Sequence, residues 1–367
     1  MECKKEEVVK VFLVGGTGLL GSAAAEELLK RGHQVHAIAL PPAPPGAVLP
    51  SEMKLEFRNY LDLTDDELRK CFDGCEGFVF ASGVDERVDG PSPIIEFYNK
   101  YNLRPLERML RIAKECGVKH AAICGSYFSY FDKIWPKKNF SKWHPYIRSR
   151  REQEKMALGF ADDKFSVGIL ELPYIFGAQI GREPVWTLIV KVVRGMKGAT
   201  MYPKGGTTMV TRRQVGQALA GALEKTKGGQ CWPIGYYNMP WKEFLAIVHK
   251  HMGMPNRKVI TIPDWMLRLG MKSMEKKLRK PGADPSARAS GQSITSLKEP
   301  MRSTEGGLYM PKFPDIQCAY TYIDKSLGCV PLGVEDDDID SAIGESIRLS
   351  MDIMDNKIKN YATMAGG

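Results

Sequence analysis

At 367 residues, with 43% apolar and 26% charged side chains, the chain is long enough to bury a large core, as one domain or two joined lobes. No apolar run is long enough to span a bilayer, and the opening MECKKEEVVK has no apolar leader, so no membrane partner is expected and a cytoplasmic protein is. The net charge of +9 (52 basic, 43 acidic) comes without a nucleic-acid recognition module, so no nucleic-acid partner is expected, and eight scattered cysteines suit a reducing compartment.

In chain order, VVKVFLV ending at Val14 reads as a buried strand and SAAAEELLK ending at Lys30 as a helix. Strands follow at Gln34 to Leu40 and Met53 to Arg58. Thr64 and Glu67 form a capping box for the next helix, whose Cys71 and Cys75 read as half-buried thiols rather than zinc ligands. A strand at Phe78 to Ser82, one long helix from Ile94 to Cys116, a strand at Val118 to Cys124, a helix through Tyr146 and a strand at Phe165 to Leu170 complete the series. Alternation of this kind predicts an α/β fold, a Rossmann-type doubly wound parallel sheet. Beyond Gly177 the rhythm breaks. Residues 8–178 with 206–235 are expected to form the dinucleotide-binding domain, and 179–205 with 236–318 a smaller substrate lobe, followed by a C-terminal segment, 319–367. A helical, basic stretch runs from Pro263 to about Glu305 and includes a candidate lid helix; the acidic run Glu335 to Asp338 reads as a solvated loop.

VFLVGGTGLLGSAAAEELLK places Gly15, Gly18 and Gly21 between a strand and a helix. A pyrophosphate needs this arrangement: a tight turn, no Cβ in its path, and free N–H groups at a helix N-terminus. The second strand ends at Ala39 and Leu40, where a carboxylate would hold a ribose hydroxyl and an arginine a 2′-phosphate. Without the carboxylate's repulsion, NADP is expected over NAD.

Taken together, the chain resembles the extended short-chain dehydrogenase/reductase family, of the NAD-dependent epimerase/dehydratase type, over about 8–349. GGTGLLG resembles its nucleotide loop, which implies cofactor contacts at Gly15, Thr17, Gly18, Leu19, Leu20 and Gly21. Asp62 and Leu63 are similar to the acid–aliphatic pair that holds the adenine. Ala81, Ser82 and Gly83 stand where the fourth strand meets the cofactor, Asn102 matches the family's helix asparagine, and Pro173 in LELPYIFG lies in its nicotinamide-side segment. IDKSLGCVPLG resembles its late aspartate–leucine–glycine–proline motif. Ser126 takes the place of the catalytic serine or threonine, and YIRSRREQE lies over Tyr-x-x-Ser-Lys-x-x-x-Glu, with Tyr146, Ser149 and Glu154 in agreement and Arg150 in place of lysine.

The resemblance implies that Ser126 holds a substrate oxygen, that Tyr146 moves a proton, and that Arg150 replaces the lysine that lowers the tyrosine pKa and holds the ribose; Tyr146 and Arg150 therefore also border the cofactor. A free tyrosine titrates near ~10, and a cation one helical turn away favours its phenolate. Arginine brings the charge on a planar, bulkier fork, so the exchange is not conservative. Two readings stay open: an NAD(P)-dependent oxidoreductase or epimerase/dehydratase, and an NAD(P)-binding sensor with weak or no catalysis. A homodimer is implied by family habit.

The 21 residues from Ser126 to Tyr146 hold eight aromatics, far above the chain's 9%. They predict either a hydrophobic or aromatic substrate or a ring-filled core under a long connection. Lys133, Lys137, Lys138 and Lys142 read chiefly as a solvated face. His144, two residues before Tyr146, is expected to face away from it as a cap or surface residue.

Overall fold

The computed structural model describes residues 9–88, 93–278, 312 and 314–363. The first half runs β1 (Lys10–Val14), α1 (Leu19–Lys30), β2 (Gln34–Ala39), β3 (Lys54–Phe57), α2 (Asp65–Phe72) and β4 (Gly77–Phe80). It continues through α3 (Ile94–Tyr98), α4 (Arg104–Glu115), β5 (His120–Cys124), α5 (Tyr127–Ile134), α6 (Phe140–Trp143), α7 (Pro145–Leu158) and β6 (Ser166–Glu171). Then come β7 (Tyr174–Phe176), α8 (Thr187–Gly195), β8 (Thr200–Pro203), β9 (Gly206–Thr211), α9 (Arg212–Lys225), β10 (Gly229–Pro233) and β11 (Tyr237–Pro240). The chain ends with α10 (Trp241–His251), β12 (Val259–Ile262), α11 (Asp264–Leu278), α12 (Pro314–Gln317), β13 (Tyr320–Thr321), α13 (Cys329–Leu332) and α14 (Ile339–Met354).

Seven parallel strands form the main sheet in the order β10-β6-β5-β4-β1-β2-β3, the doubly wound arrangement expected. Successive side chains of a strand point to opposite faces, and the sequence fills both. Val11 and Leu13 join Ala24, Ala25 and Leu28 of α1 and the apolar face of α9. Phe12 and Val14 join Leu68 and Phe72 of α2 and Leu106 and Leu110 of α4 on the other. The Thr64–Glu67 capping box that starts α2 forms as expected. Cys71 and Cys75 are buried free thiols, and the described residues include no cluster suited to a metal.

A second sheet joins β7, β9, β11 and β13, and β8 pairs with β12. The chain crosses twice between the two parts: β9 lies in the small sheet, while α9 and β10 return to the large one. The small lobe has its own core of Phe176, Trp186, Met209, Trp241 and Phe244 with Ile343 and Ile347 of α14.

One local expectation is corrected and two are refined. The helix read as continuous from Ile94 to Cys116 contains a π-turn, Asn99–Leu103, because one extra residue is accommodated there. The acidic run is a solvated loop before α14 as expected, but a tethered one: Arg213 pairs with Glu335 and Asp337, Thr211 and Tyr237 bond Asp337, and Asp338 caps α14. Lys133, Lys137, Lys138 and Lys142 are exposed as expected, but the Lys133 amine is not left to solvent. It reaches the fully buried Glu171 of β6 at 2.7 Å and Glu154 of α7 at 3.4 Å, while Arg151 holds Glu154 at 3.0 Å. This network fastens α5 and α7 to the sheet beneath the residues of interest. The basic stretch expected beyond Leu278 lies outside the described residues.

Burial, and then the neighbouring Glu154, push the Glu171 carboxyl from 4.5 up to about 8, against the pull of Lys133. The folded protein therefore holds a proton between those values that the unfolded chain has released, and stability falls as pH rises through that window. Glu171→Gln should flatten this part of the pH–Tm curve. Thermal melts in which variant and wild type lose Tm in parallel from pH 5 to 8 would contradict this reading.

Candidate active site

The glycine loop is shaped by contacts that exclude side chains. Gly15 has φ +95°, a conformation that disfavours side chains, and a Cβ there would lie 2.6 Å from the Ala81 carbonyl oxygen. A Cβ on Gly21 would lie 2.1 Å from the Gly15 oxygen, so the helix can approach the strand only without one. Gly18 differs: its Cβ would meet only that same oxygen, at 3.3 Å, and otherwise open space. As the N-cap of α1 it brings no side chain to the helix end, and the first turn holds no acidic residue. The N–H groups and positive end of the dipole are left for an anion, which fits a dinucleotide pyrophosphate. Thr17 is buried in the turn, and Leu19 and Leu20 are half-buried on the first turn of α1.

Ala39 is buried at the end of β2, and Arg58, whose N–H donates to the Ala39 carbonyl at 2.9 Å, turns its guanidinium to Glu67. Asp62 is exposed and accepts from Asn59 Nδ2 at 2.8 Å, beside the buried Leu63. Ala81 and Ser82 are half-buried at the carboxyl end of β4, and Gly83, at φ +140°, leaves no room for a Cβ against Asn102 Oδ1 at 2.6 Å. Fully buried Asn102 clamps the backbone of Val84: Oδ1 accepts from its N–H and Nδ2 donates to its carbonyl, each at 2.8 Å. The π-turn sets Asn102 at that loop, so its amide acts on the site by fixing the chain after β4.

Arg150 joins the pieces. From α7 it donates to Cys124 O at the end of β5 and to Val84 O after β4, both at 3.5 Å, and to Gln153 Oε1 at 2.8 Å. Its Cζ stands 5.1 Å from the centre of the Tyr146 ring, and its Nε is buried without a partner. An unpaired buried donor at the carboxyl ends of the strands suits a polar ligand group. Ser126 follows Cys124 by two residues as the N-cap of α5; its Oγ accepts from Phe128 N at 3.4 Å, and its O–H can donate elsewhere. Tyr146 is buried edge-on to Tyr98, with ring centres 5.6 Å apart, and Pro173 is buried at the start of the segment leading to Tyr174.

Electrostatics at Tyr146 run against the simple expectation. Burial raises the phenol above its ordinary range; Arg150 pulls it back down, and Glu86 and Asp85 push it up further. Sequence reasoning passed over this pair and Arg87. They form the only charged triplet directly after β4, a signal legible as Asp85-Glu86-Arg87. Arg87 binds Asp85 through Nε at 3.1 Å and Nη2 at 2.5 Å. His144 is the N-cap residue of α7, but it is not at the surface: it is buried, its ring centre 6.4 Å from that of Tyr146, and burial lowers its pKa to about 3. The aromatic stretch packs largely on itself. Tyr127, Phe131, Phe140, Trp143 and Tyr146 share a core with Tyr98, Val84 and Tyr174, closed by Leu267 and Met271 of α11.

The model of the NAD-dependent epimerase/dehydratase family matches residues 11–212, more than half of the chain. No curated protein matches the sequence. Among solved structures, a nucleoside-diphosphate-sugar epimerase from Pseudomonas aeruginosa is similar at TM-score 0.63 and 15% identity, over 94% of this chain and 98% of that one. The Bordetella bronchiseptica enzyme WbmG in complex with NAD is similar at TM-score 0.60 and 13% identity, over 98% and 99%. The UDP-glucuronic acid 4-epimerase from Bacillus cereus, in complex with UDP-glucuronic acid and NAD, is similar at TM-score 0.60 and 12% identity, over 94% and 99%. At these identities the likeness is one of fold.

The glycines separate binding from folding. Gly18→Val should keep a folded protein while losing dinucleotide affinity, because the new side chain fills the anion's approach. Gly21→Ala should lower Tm as well, because its methyl meets a backbone oxygen. Calorimetry showing unchanged affinity in Gly18→Val would refute the loop's assignment.

Proposed function

This chain belongs to the NAD-dependent epimerase/dehydratase family, and we propose that it exchanges hydride at a carbonyl or secondary-alcohol carbon, with Tyr146 as the proton-transfer group. The observation that carries this reading is the Arg150 guanidinium over the Tyr146 ring, held by carbonyls at the end of β5 and after β4, the strand that neighbours β1 and its glycine loop. Gly15, Gly18 and Gly21 would hold the pyrophosphate, and Asp62, Leu63, Ala81, Ser82 and Gly83 the adenine side and the strand end. When bound, the dinucleotide supplies or accepts the hydride. Both NAD and NADP are compatible with the side-chain-poor end of β2; the neighbours solved with NAD lend no support to NADP over NAD.

Ser126 donates its hydroxyl hydrogen to the substrate oxygen, and Tyr146 gives that oxygen its proton in reduction or removes it in oxidation. Arg150 favours the phenolate by its fixed charge. We take the substrate to carry a hydrophobic or aromatic part, since the rings of Tyr98, Tyr127 and Tyr174 gather around Tyr146. The sugar-nucleotide ligand of the Bacillus cereus neighbour sets the competing class. The implied homodimer would use outward helices of the sheet domain, where α4 and α7 share a surface groove lined by Glu107, Glu152, Met156 and Phe160. A sensor without turnover is the second reading, favoured by the arginine in the lysine position and the raised Tyr146 phenol.

Incubation with NAD or NADP and a panel of UDP-glucose, UDP-glucuronic acid and aryl ketones and alcohols, followed by nicotinamide absorbance, tests both readings. Tyr146→Phe should keep fold and cofactor affinity and lose roughly 10²–10⁴ in rate. Arg150→Met should weaken cofactor binding too. Arg150→Lys keeps the charge but loses two of the carbonyl contacts, and should lower cofactor affinity less than methionine does. Wild-type turnover by Tyr146→Phe would reject the catalytic reading.

A further inference from the structure

Twelve large hydrophobic side chains are exposed among the described residues, and five of them fall within two short stretches, 195–204 and 252–272. They are Met201 (52% exposed), Ile260 (49%), Trp265 (64%), Met266 (43%) and Leu269 (62%). Apolar side chains scattered singly over a surface need no explanation, but a concentration of them marks a contact.

The fold sets these residues on adjoining elements. β8 and β12 pair in parallel with Met201 opposite Ile260, so the two side chains share one face of the ribbon. The first residue of α11, Asp264, follows β12 by two positions, and Lys204, just after β8, reaches its Oδ1 at 3.8 Å. In α11, Trp265 and Leu269 are one turn apart and share a side of the helix. The other side is taken: Leu267 and Met271 enter the aromatic cluster around Tyr146, and Arg268 Nη2 donates to Asp315 at 2.7 Å. Turning the helix to bury Trp265 and Leu269 would expose Leu267 and Met271 instead. The outward apolar side is therefore built in.

Charge on the same stretches is one-sided. Lys197, Lys204, Arg257, Lys258, Arg268 and Lys272 stand against Asp264 alone. Arg257 turns inward to Thr200 Oγ1 at 2.9 Å, as Arg268 does to Asp315. Lys197, Lys258 and Lys272 are exposed and have no ion pair among the described residues. The Lys258 carbonyl accepts from Thr200 N at 2.8 Å, so this lysine stands beside the strand that carries Met201. A second copy of the chain seated on this face would set lysines against lysines. A surface that is negative outside and apolar beneath meets both features, and it favours an indole at the boundary between them.

We propose that the outer side of α11, with Met201 and Ile260 of the β8–β12 ribbon, docks the protein on an anionic lipid surface. Trp265 and Leu269 enter the boundary between headgroups and acyl chains, while Lys197, Lys258 and Lys272 meet the headgroups. No helix among the described residues is long and apolar enough to cross a membrane, so the contact is with its surface. Docked in this way, α11 stands between the lipid and the aromatic cluster that its inner residues close. The docking does not depend on the reaction proposed for Tyr146.

Cosedimentation of the full chain with phosphatidylcholine vesicles, with and without phosphatidylserine, tests the assignment. The protein should bind the phosphatidylserine vesicles, bind phosphatidylcholine alone far less, and release as salt rises. Trp265→Ser combined with Leu269→Ser should keep Tm and weaken binding roughly tenfold or more, and Lys258→Ala should weaken it roughly fivefold. The emission of Trp265, taken as wild type minus Trp265→Phe, should shift to the blue and gain protection from acrylamide when vesicles are added. Should the double variant lose Tm, this emission carries the test.

Absence of binding to phosphatidylserine vesicles, or binding unchanged in the double variant, would overturn the proposal. Binding lost in Lys258→Ala but intact in the double variant would mark a basic surface for an acidic protein and overturn it equally. A wild-type dimer that sediments as a monomer in the double variant would give the face to a second copy instead. A Trp265 emission already blue and protected without vesicles would give it to another part of the chain. Either result removes the lipid.

Discussion

A guanidinium buried at the carboxyl ends of two parallel strands sets the terms for this site. An arginine taken out of water must find partners for its donors, or the desolvation is uncompensated. Arg150 finds them in Cys124 O, Val84 O and Gln153, and thereby ties α7 to the ends of β5 and β4. Tyr146, one turn earlier, is held under the same group. The positions of the phenol, of Ser126 two residues beyond Cys124, and of the segment after Val84 therefore depend on one another through this side chain.

Around that tie the structure adds supports that act at a distance. Asn102 holds Val84 by both ends of its amide, and Gln153 Nε2 donates to the Asn102 carbonyl at 2.9 Å, so the π-turn, the β4 loop and α7 form one connected set. Below, Lys133, Glu154, Glu171 and Arg151 tie α5 and α7 to β6 through polar groups rather than packing alone. Replacing Lys133 or Arg151 in such a network would leave buried carboxyl groups without their cations, so the helices are held by groups that have few alternative partners. Above, Leu267 and Met271 of α11 close the aromatic cluster, while Trp265 and Leu269 on the same helix face outward.

The protein field at Tyr146 is a balance. Arg150 alone favours the phenolate, but burial and the carboxylates of Asp85 and Glu86 outweigh it. The phenol is thus held in its neutral form, and any added positive charge nearby would shift it toward the phenolate. Spacing of tyrosine and arginine on a helix could not reveal that, since the opposing groups come from a strand end remote in sequence.

Much was legible beforehand because it is local. Alternating apolar strands, the glycine triplet between strand and helix, and the Thr64–Glu67 cap depend on backbone geometry and on neighbours within a few residues, so type and order of residues determine them. What only the tertiary structure decided was which side chains meet. The His144 ring was buried by the packing of α6 and α7, Lys133 was drawn to Glu171 across the helix–sheet interface, and the acidic run found Arg213 and Thr211 on and before α9. The electrostatic influence of Asp85 and Glu86 on Tyr146 arises in the same way. These pairings join residues tens of positions apart, and their energies come from burial and Coulomb interactions that exist only once the sheet has brought the strand ends together.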